Sequence, residues 1–326
     1  MKKWLALALA ACLFLTACGR EKEETPLAGA GKTVGVCLAG NEGDTLAQQM
    51  TAELQALGFA VKTAFAQGSA KEQAKQMEQM LRKVDCVIVQ AVDSLTLLEA
   101  GQTAKEKNIP VIACDRMLMD TDWVWGCVSY DYEALGAEMA KQVVDARNLG
   151  KKKATIEFFM GNPEDMGALL LHKGAMSVFQ PYLDSGKLVC PSGRVSFEDT
   201  YVPGGAEQAK DACLKRLEKD YSGKKLDICF AGTDEIAAGC RSALDEKGYT
   251  RENWPTLVGQ GGENAQSVKD GYQLCTFQKD RFQMASKCAA WALAAVSGGN
   301  APKETTVFNH VKDVPVAYLP ATLVES

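Results

Sequence analysis

The stretch TVGVCLAGNEGDTLAQQMTAELQALGFAVKTAF, residues 33–65, carries the reading on which the fold rests. Thr33 to Leu38 is a compact apolar run, the pattern of a strand covered on both faces rather than one that alternates. Leu46, Met50, Leu54 and Leu57 then recur at three- and four-residue spacing, which predicts a helix, and Gly58 is a natural stop. Ala60 to Phe65 returns to strand character. Strand, helix and strand in so short a stretch predict a parallel βαβ unit with a right-handed crossover.

The alternation continues outward from there. Ala74, Met77 and Leu81 mark a helix, Cys86 to Gln90 a buried strand, a further helix runs to Asn108, and Pro110 leads into the strand Val111 to Asp115. It restarts with a helix on Leu135, Met139 and Val143, a strand Thr155 to Met160, and a helix on Leu169, Met176 and Phe179. Ala206 to Leu217 is helical, Asp227 to Ala231 a strand, Asp234 to Lys247 a helix and Thr256 to Gly259 a strand. A helix from Glu263, a strand Gln273 to Phe277, a helix through Trp291 and Val296, and an extended segment Val314 to Leu323 complete the chain. About ten such steps exceed one ordinary open sheet and suit two doubly wound parallel-sheet lobes. The predicted class is therefore α/β. Sheets of this kind take ligands beyond the carboxyl ends of their strands, which puts the candidate site between the lobes.

The chain has 326 residues, 47% hydrophobic, enough for a sizeable core. Its formal net charge of -5 argues against nucleic acid and against a polybasic membrane patch. Lys2 and Lys3 precede an apolar run, Trp4 to Leu15, of signal-peptide length. That run ends in Leu15-Thr16-Ala17-Cys18, which resembles the lipobox of bacterial lipoprotein precursors. The resemblance implies removal of residues 1–17 and lipidation of Cys18, and so export and anchoring to the outer face of the cell membrane, on the periplasmic side where an outer membrane exists. Residues 18–31 read as a flexible tether. Twelve cysteines would suggest disulfides in an exported chain, but Cys37, Cys86, Cys114 and Cys229 fall in apolar strands and Cys213, Cys240 and Cys288 on apolar helix faces. They read as small hydrophobes. Two histidines and no CxxC pair leave little material for a metal or redox site, and no cofactor is expected.

Charged and polar groups stand where the strands end. Asp115 and Arg116 follow Val111-Ile112-Ala113-Cys114; an arginine there can fork to two neighbouring oxygens while the aspartate accepts from hydroxyls. Asp165, Thr233 with Asp234, and Lys279 follow other predicted strands. Tyr201 and Phe197 offer aromatic faces for the apolar side of a sugar ring. Each has a plainer alternative: Asp165 and Asp234 as helix caps, Asp115-Arg116 as an interlobe ion pair. Trp123, Trp125, Trp254 and Trp291 read as packing residues, and Gly161 to Gly167 lacks the Lys-Ser/Thr of a phosphate loop.

Val111-Ile112-Ala113-Cys114-Asp115-Arg116-Met117 resembles the Asp-Arg-Met signature of periplasmic xylose-binding proteins. Gly161-Asn162-Pro163-Glu164-Asp165, Pro181-Tyr182-Leu183-Asp184-Ser185-Gly186-Lys187, Gly259-Gln260 and Lys312-Asp313-Val314-Pro315 follow that family in order and spacing. The resemblance covers the chain from Thr33 onward. It implies the type I periplasmic binding protein fold, with 32–127 plus 261–300 as one lobe and 128–260 plus 301–326 as the other. Three hinge segments are implied near Cys127-Val128-Ser129, Gly259-Gln260 and Phe308 to Val311. It further implies hinge closure on one monosaccharide by a monomer and delivery to the permease of an ABC importer. The ligand contacts carried over are Asp115, Arg116, Asp165 and Lys279, with Tyr201 in place of a stacking tryptophan and Thr233 in place of an asparagine. Ala39 to Leu46 lacks the family's basic and aromatic residues, Gly261 replaces an aspartate, and Met166 and Gly167 replace asparagines.

An enzyme would need a nucleophile elbow, a dinucleotide loop, a zinc-helix motif or a triad, and none is present. The alternatives carried are a sensor component that reports the ligand to a membrane receptor and a binder of a non-sugar ligand such as a nucleoside. A regulator of this fold would carry a helix-turn-helix where the signal and tether stand.

Overall fold

The computed structural model describes residues 27–325 apart from 163–164, 203–204 and 303. The expected signal segment, Cys18 and the first part of the tether lie outside the described residues. Leu27 to Gly31, expected to be tether, is instead a turn docked on the folded body. Gly29 is buried and its N–H donates to Leu57 O at 2.8 Å.

Two sheets build two lobes. The first holds β1 (Thr33–Leu38), β2 (Ala60–Phe65), β3 (Cys86–Val89), β4 (Val111–Cys114), β5 (Val124–Tyr130), β11 (Thr305–Phe308) and β12 (Asp313–Leu319). Its spatial order is β11-β12-β5-β4-β3-β1-β2, parallel except for the β11–β12 pair. The second holds β6 (Ala154–Phe159), β7 (Leu188–Val189), β8 (Ile228–Ala231), β9 (Thr256–Val258), β10 (Cys275–Lys279) and β13 (Ala321–Glu325). Its order is β13-β10-β9-β8-β6-β7, with β13 alone antiparallel. The two-lobed α/β expectation is met.

Helices cover both faces of each sheet. In the first lobe Val34, Val36 and Leu38 pack with α1 (Thr45–Ala56) and α9 (Arg281–Val296) through Met50, Leu54, Met284 and Cys288. Cys37, Val87 and Val89 point the other way, to α2 (Ala70–Met80) and α3 (Leu98–Glu106) through Met77, Ala100 and Ala104. This two-sided burial is why the strands read as apolar runs without alternation. In the second lobe Ile156 and Phe158 meet Phe179 of α5 (Met166–Asp184), beside α4 (Tyr132–Arg147). Phe159, Cys229 and Ala231 face α6 (Ala206–Asp220) and α7 (Asp234–Glu246); a short α8 (Ala265–Lys269) precedes β10. Helices α4 and α5 touch closely enough that a Cβ on Gly136 would strike the Leu171 carbonyl.

The chain crosses between lobes three times, and not at the expected places. β5 leads into α4 through Asp131, β10 into α9 through Asp280, and β12 into β13 through Pro320. Cys127 to Ser129 lies inside β5, a few residues early. Gly259-Gln260 belongs wholly to the second lobe and Phe308 to Val311 to the first. Consequently residues 261–279 sit with the second sheet, whereas β11 and β12 belong to the first. Pairing partners decide this division, and they are not written in local sequence. The extended segment Val314 to Leu323 is in fact two strands, divided by Pro320 between the sheets; β5, β7 and β11 have no counterpart among the expected strands.

The ten cysteines among the described residues are free, and all but Cys190 are buried, including the seven (Cys37, Cys86, Cys114, Cys213, Cys229, Cys240 and Cys288) whose apolar surroundings predict it. Trp125 and Trp291 pack edge to face at 5.8 Å, and Trp254 donates to Tyr272 O at 2.7 Å, so the tryptophans are packing residues as expected.

Candidate binding site

Most groups that face the cleft are placed by a strand end or a helix start. Asp115 follows β4 with a φ of 67°, left-handed for a residue with a side chain, a conformation that persists where surroundings over-determine it. They do so here. Its N–H donates to Val128 O at 2.8 Å and its carbonyl accepts from Ser129 Oγ at 2.5 Å. Its carboxylate accepts from Tyr132 Oη at 2.6 Å, and that phenol accepts from Lys279 Nζ at 3.3 Å. Burial, and then the neighbouring Asp115, raise the Tyr132 phenol well above its ordinary range, so it stays a neutral donor.

Arg116 is clamped by its own lobe: one terminal nitrogen donates to Ala91 O and Val92 O, each at 3.2 Å. The other faces Asp165 Oδ2 in the opposite lobe at 3.4 Å. Asp165 caps α5, its Oδ1 accepting from Gly167 N at 2.9 Å. Asp165 is thus a helix cap that also lines the cleft. Thr233 caps α7, its Oγ1 accepting from Ile236 N at 3.2 Å. Asp115, Arg116, Tyr132, Asp165, Thr233, Gln260 and Lys279 line one recess between the lobes, a concave site with a few convergent polar groups. A neighbouring recess shares Asp115 and Lys279 and adds Asp44, Gln90, Glu263 and Arg281.

Asp234 departs from its expected role. It is 0% exposed, and its carboxylate accepts from Gly262 N, Asn264 N, Gln273 Nε2 and Thr276 Oγ1 at 2.6–3.0 Å. It has no face left for a ligand; it is the internal anchor of the turn after β9. Phe197 is likewise buried, its ring 5.6 Å from that of His172, and offers no open aromatic face. Tyr201 pairs with Met160 at the end of β6 and is 37% exposed, but is not among the described residues that line the central recess.

Tyr132, Gln90, Glu263 and Arg281 were not anticipated. A signal for Arg281 did exist: Lys279-Asp280-Arg281 ends β10 as Cys114-Asp115-Arg116 ends β4. Asp280 also caps α9, accepting from Phe282 N at 2.8 Å. Tyr132 carries no such mark, because a tyrosine starting an amphipathic helix is ordinary.

Among the described residues no group of three His, Cys, Asp or Glu side chains is placed to hold a metal ion. The cleft offers fixed donors and acceptors on two jointed lobes, an arrangement suited to holding a small polar molecule. The comparisons agree. A family model described as a periplasmic binding protein domain matches residues 36–300. The multiple sugar-binding periplasmic protein SbpA of Azospirillum brasilense is 32% identical over 280 residues, 83% of this chain and 78% of that protein. The D-xylose-binding periplasmic protein of Escherichia coli is 30% identical over 265 residues, 80% and 76% of the two chains. A crystal structure of an ABC transporter solute-binding protein from Clostridium phytofermentans with bound β-D-glucose superposes with a TM-score of 0.85 at 29% identity, covering 90% of this chain and 94% of that one. This chain belongs to the periplasmic binding protein family of ABC transport systems, which binds solutes and does not catalyse.

Proposed function

We propose that this chain captures a neutral monosaccharide, xylose-like or a related sugar, and delivers it as a monomer to the membrane permease of an ABC importer. The observation that carries this is the meeting of Arg116 from one lobe with Asp165 from the other over a recess that Asp115 and Lys279 also line. Carboxylates to accept from vicinal hydroxyls and a clamped guanidinium to donate to them are the groups a sugar ring needs. Four carboxylates (Asp44, Asp115, Asp165, Glu263) against three cations (Arg116, Lys279, Arg281) in the two recesses favour an uncharged ligand over a sugar acid. Ligand touching both lobes favours the closed form over the open one, which shifts the population towards closure. The relatives' sugars, D-xylose and β-D-glucose, support the class.

Lipidation at Cys18 would hold the domain beside its permease through more than one acyl chain, as stable anchoring requires. The test has two parts. A thermal-shift screen of the chain from residue 18, with Cys18→Ser, against pentoses, hexoses, sugar acids and nucleosides should show a rise with a neutral sugar. A rise only with nucleosides or sugar acids would refute the ligand class. In cells, Cys18→Ser should move the protein from the membrane fraction to the soluble exported fraction; unchanged fractionation would refute the anchor.

A further inference from the structure

Beyond Asp115 and Lys279, away from Arg116, the cleft is closed by a second ion pair between the lobes. Arg281 opens α9 in the first lobe, and Glu263 lies in the turn after β9 in the second; they approach at 3.5 Å. Both line the recess that contains Asp115 and Lys279.

Each is held in place by its own lobe. Gly261 and Gly262 have φ of 138° and 93°, values closed to most side chains. Their turn is pinned by buried Asp234, which accepts from Gly262 N and Asn264 N, and by Gly261 N donating to Phe277 O at 2.9 Å. A Cβ on Gly261 would land on the Glu263 carboxylate, so Glu263 fills the space that a side chain at 261 would take. On the opposite wall, Arg281 donates to Asp44 Oδ1 at 2.9 Å, and Asp44 is itself held as the cap of α1. The guanidinium is thus fixed on one edge and presents the other to the cleft.

We infer that Glu263 and Arg281 are further ligand-binding residues, reading a hydroxyl of the sugar on the side of the cleft opposite Arg116. The inference rests on the cleft being the sugar site. As a lobe-to-lobe contact alone the pair has little to offer. Its side chains are 60% and 48% exposed, and exposed pairs contribute little to stability. As preformed acceptor and donor they complete a ring of polar groups around a pyranose or pentose: Glu263 can accept from a ligand hydroxyl and Arg281 donate to its oxygen, with Arg281 keeping its contact to Asp44.

The experiment is calorimetric. The probe is whichever of D-xylose, D-glucose or D-galactose binds the wild type tightest, with its monodeoxy analogues. Glu263→Gln and Arg281→Met should each weaken the parent sugar about tenfold to a hundredfold. For one deoxy analogue, already weak with the wild type, the variants should lose little more, since the hydroxyl and its partner act as one contact. Lys287→Met, which breaks the outer Lys287–Glu304 pair of α9, should bind as the wild type does. Affinities within about twofold of wild type for both cleft variants would overturn the inference. So would an equal loss across all analogues, the mark of a contact between lobes only. If Arg281→Met fails to fold, Glu263→Gln and Arg281→Lys carry the same comparison. If the wild type binds no sugar, the functional reading falls first and this inference with it.

Discussion

The Arg116 guanidinium and the Asp165 carboxylate, carried by different lobes, stand 3.4 Å apart across the mouth of the central recess. Two backbone carbonyls hold one edge of Arg116, and the Gly167 N–H holds one oxygen of Asp165. What remains free on each side points into the cleft. A ligand that met both groups would be touching both lobes, which would couple closure to recognition.

Replacing Arg116 by alanine should weaken ligand binding by about 2 kcal/mol, the loss of a charge-assisted, two-pronged contact. The ligand-free protein should melt almost where the wild type does, because the side chains of the pair are 43% and 26% exposed. Calorimetry and a melting curve on the same sample separate the two effects. Unchanged affinity would move the site away from the end of β4.

Asp234 should behave oppositely. Alanine there leaves four donors without their acceptor in a fully buried place, at a cost of about 3 kcal/mol or more in denaturant unfolding. A variant that kept full stability and lost only ligand affinity would return Asp234 to the role of a contact.

His172 supplies a pH test. Burial lowers its pKa, and its Nε2 lies 3.0 Å from Val195 O. The unfolded chain therefore takes up the proton first as pH falls. The stability tied to neutral His172 is present above about pH 6.5 and lost as pH drops through the lower folded value. Glu157, raised by burial, works in the reverse sense, so the quantity to follow is the difference between wild type and His172→Gln. That difference should change as pH falls below about 6.5; a constant offset would count against it.

The thiols are guarded by burial. Cys37 and Cys275 are pushed up to about 12, with desolvation the main cause. A thiol-exchange reagent at pH 8 should label the native chain slowly, starting with part-exposed Cys190, and label the remaining free cysteines only after unfolding. Rapid labelling of the native protein would show that these strands open. The same shifts predict that their stabilising contribution holds below about pH 9 and fades as pH climbs towards the folded values.

Much of this was legible beforehand for identifiable reasons. Val34, Val36 and Cys37 announce a strand buried on both faces, and Asp115-Arg116 at the end of such a strand is costly enough to suggest use. Asp234 misled because a carboxylate beginning a helix looks the same whether it faces a cleft or an interior turn. Only the positions of Gly262, Asn264, Gln273 and Thr276 distinguish the two. Glu263 was hidden by the glycine two places before it, which appeared to be a lost carboxylate until the turn folded another one back over it.

What the sequence determined by itself is the set of local choices: which runs are strands and helices, that Asp165 can cap one of them, and that polar groups gather at strand ends. These depend on periodicity and on hydrogen bonds between near neighbours, which a linear pattern contains. What only the tertiary structure decided is which sheet each late strand joins, that the lobes are linked at Asp131, Asp280 and Pro320, and that Arg281 meets Glu263. Those outcomes come from pairing between residues far apart in the chain, where burial and charge are settled by partners that no local spacing records.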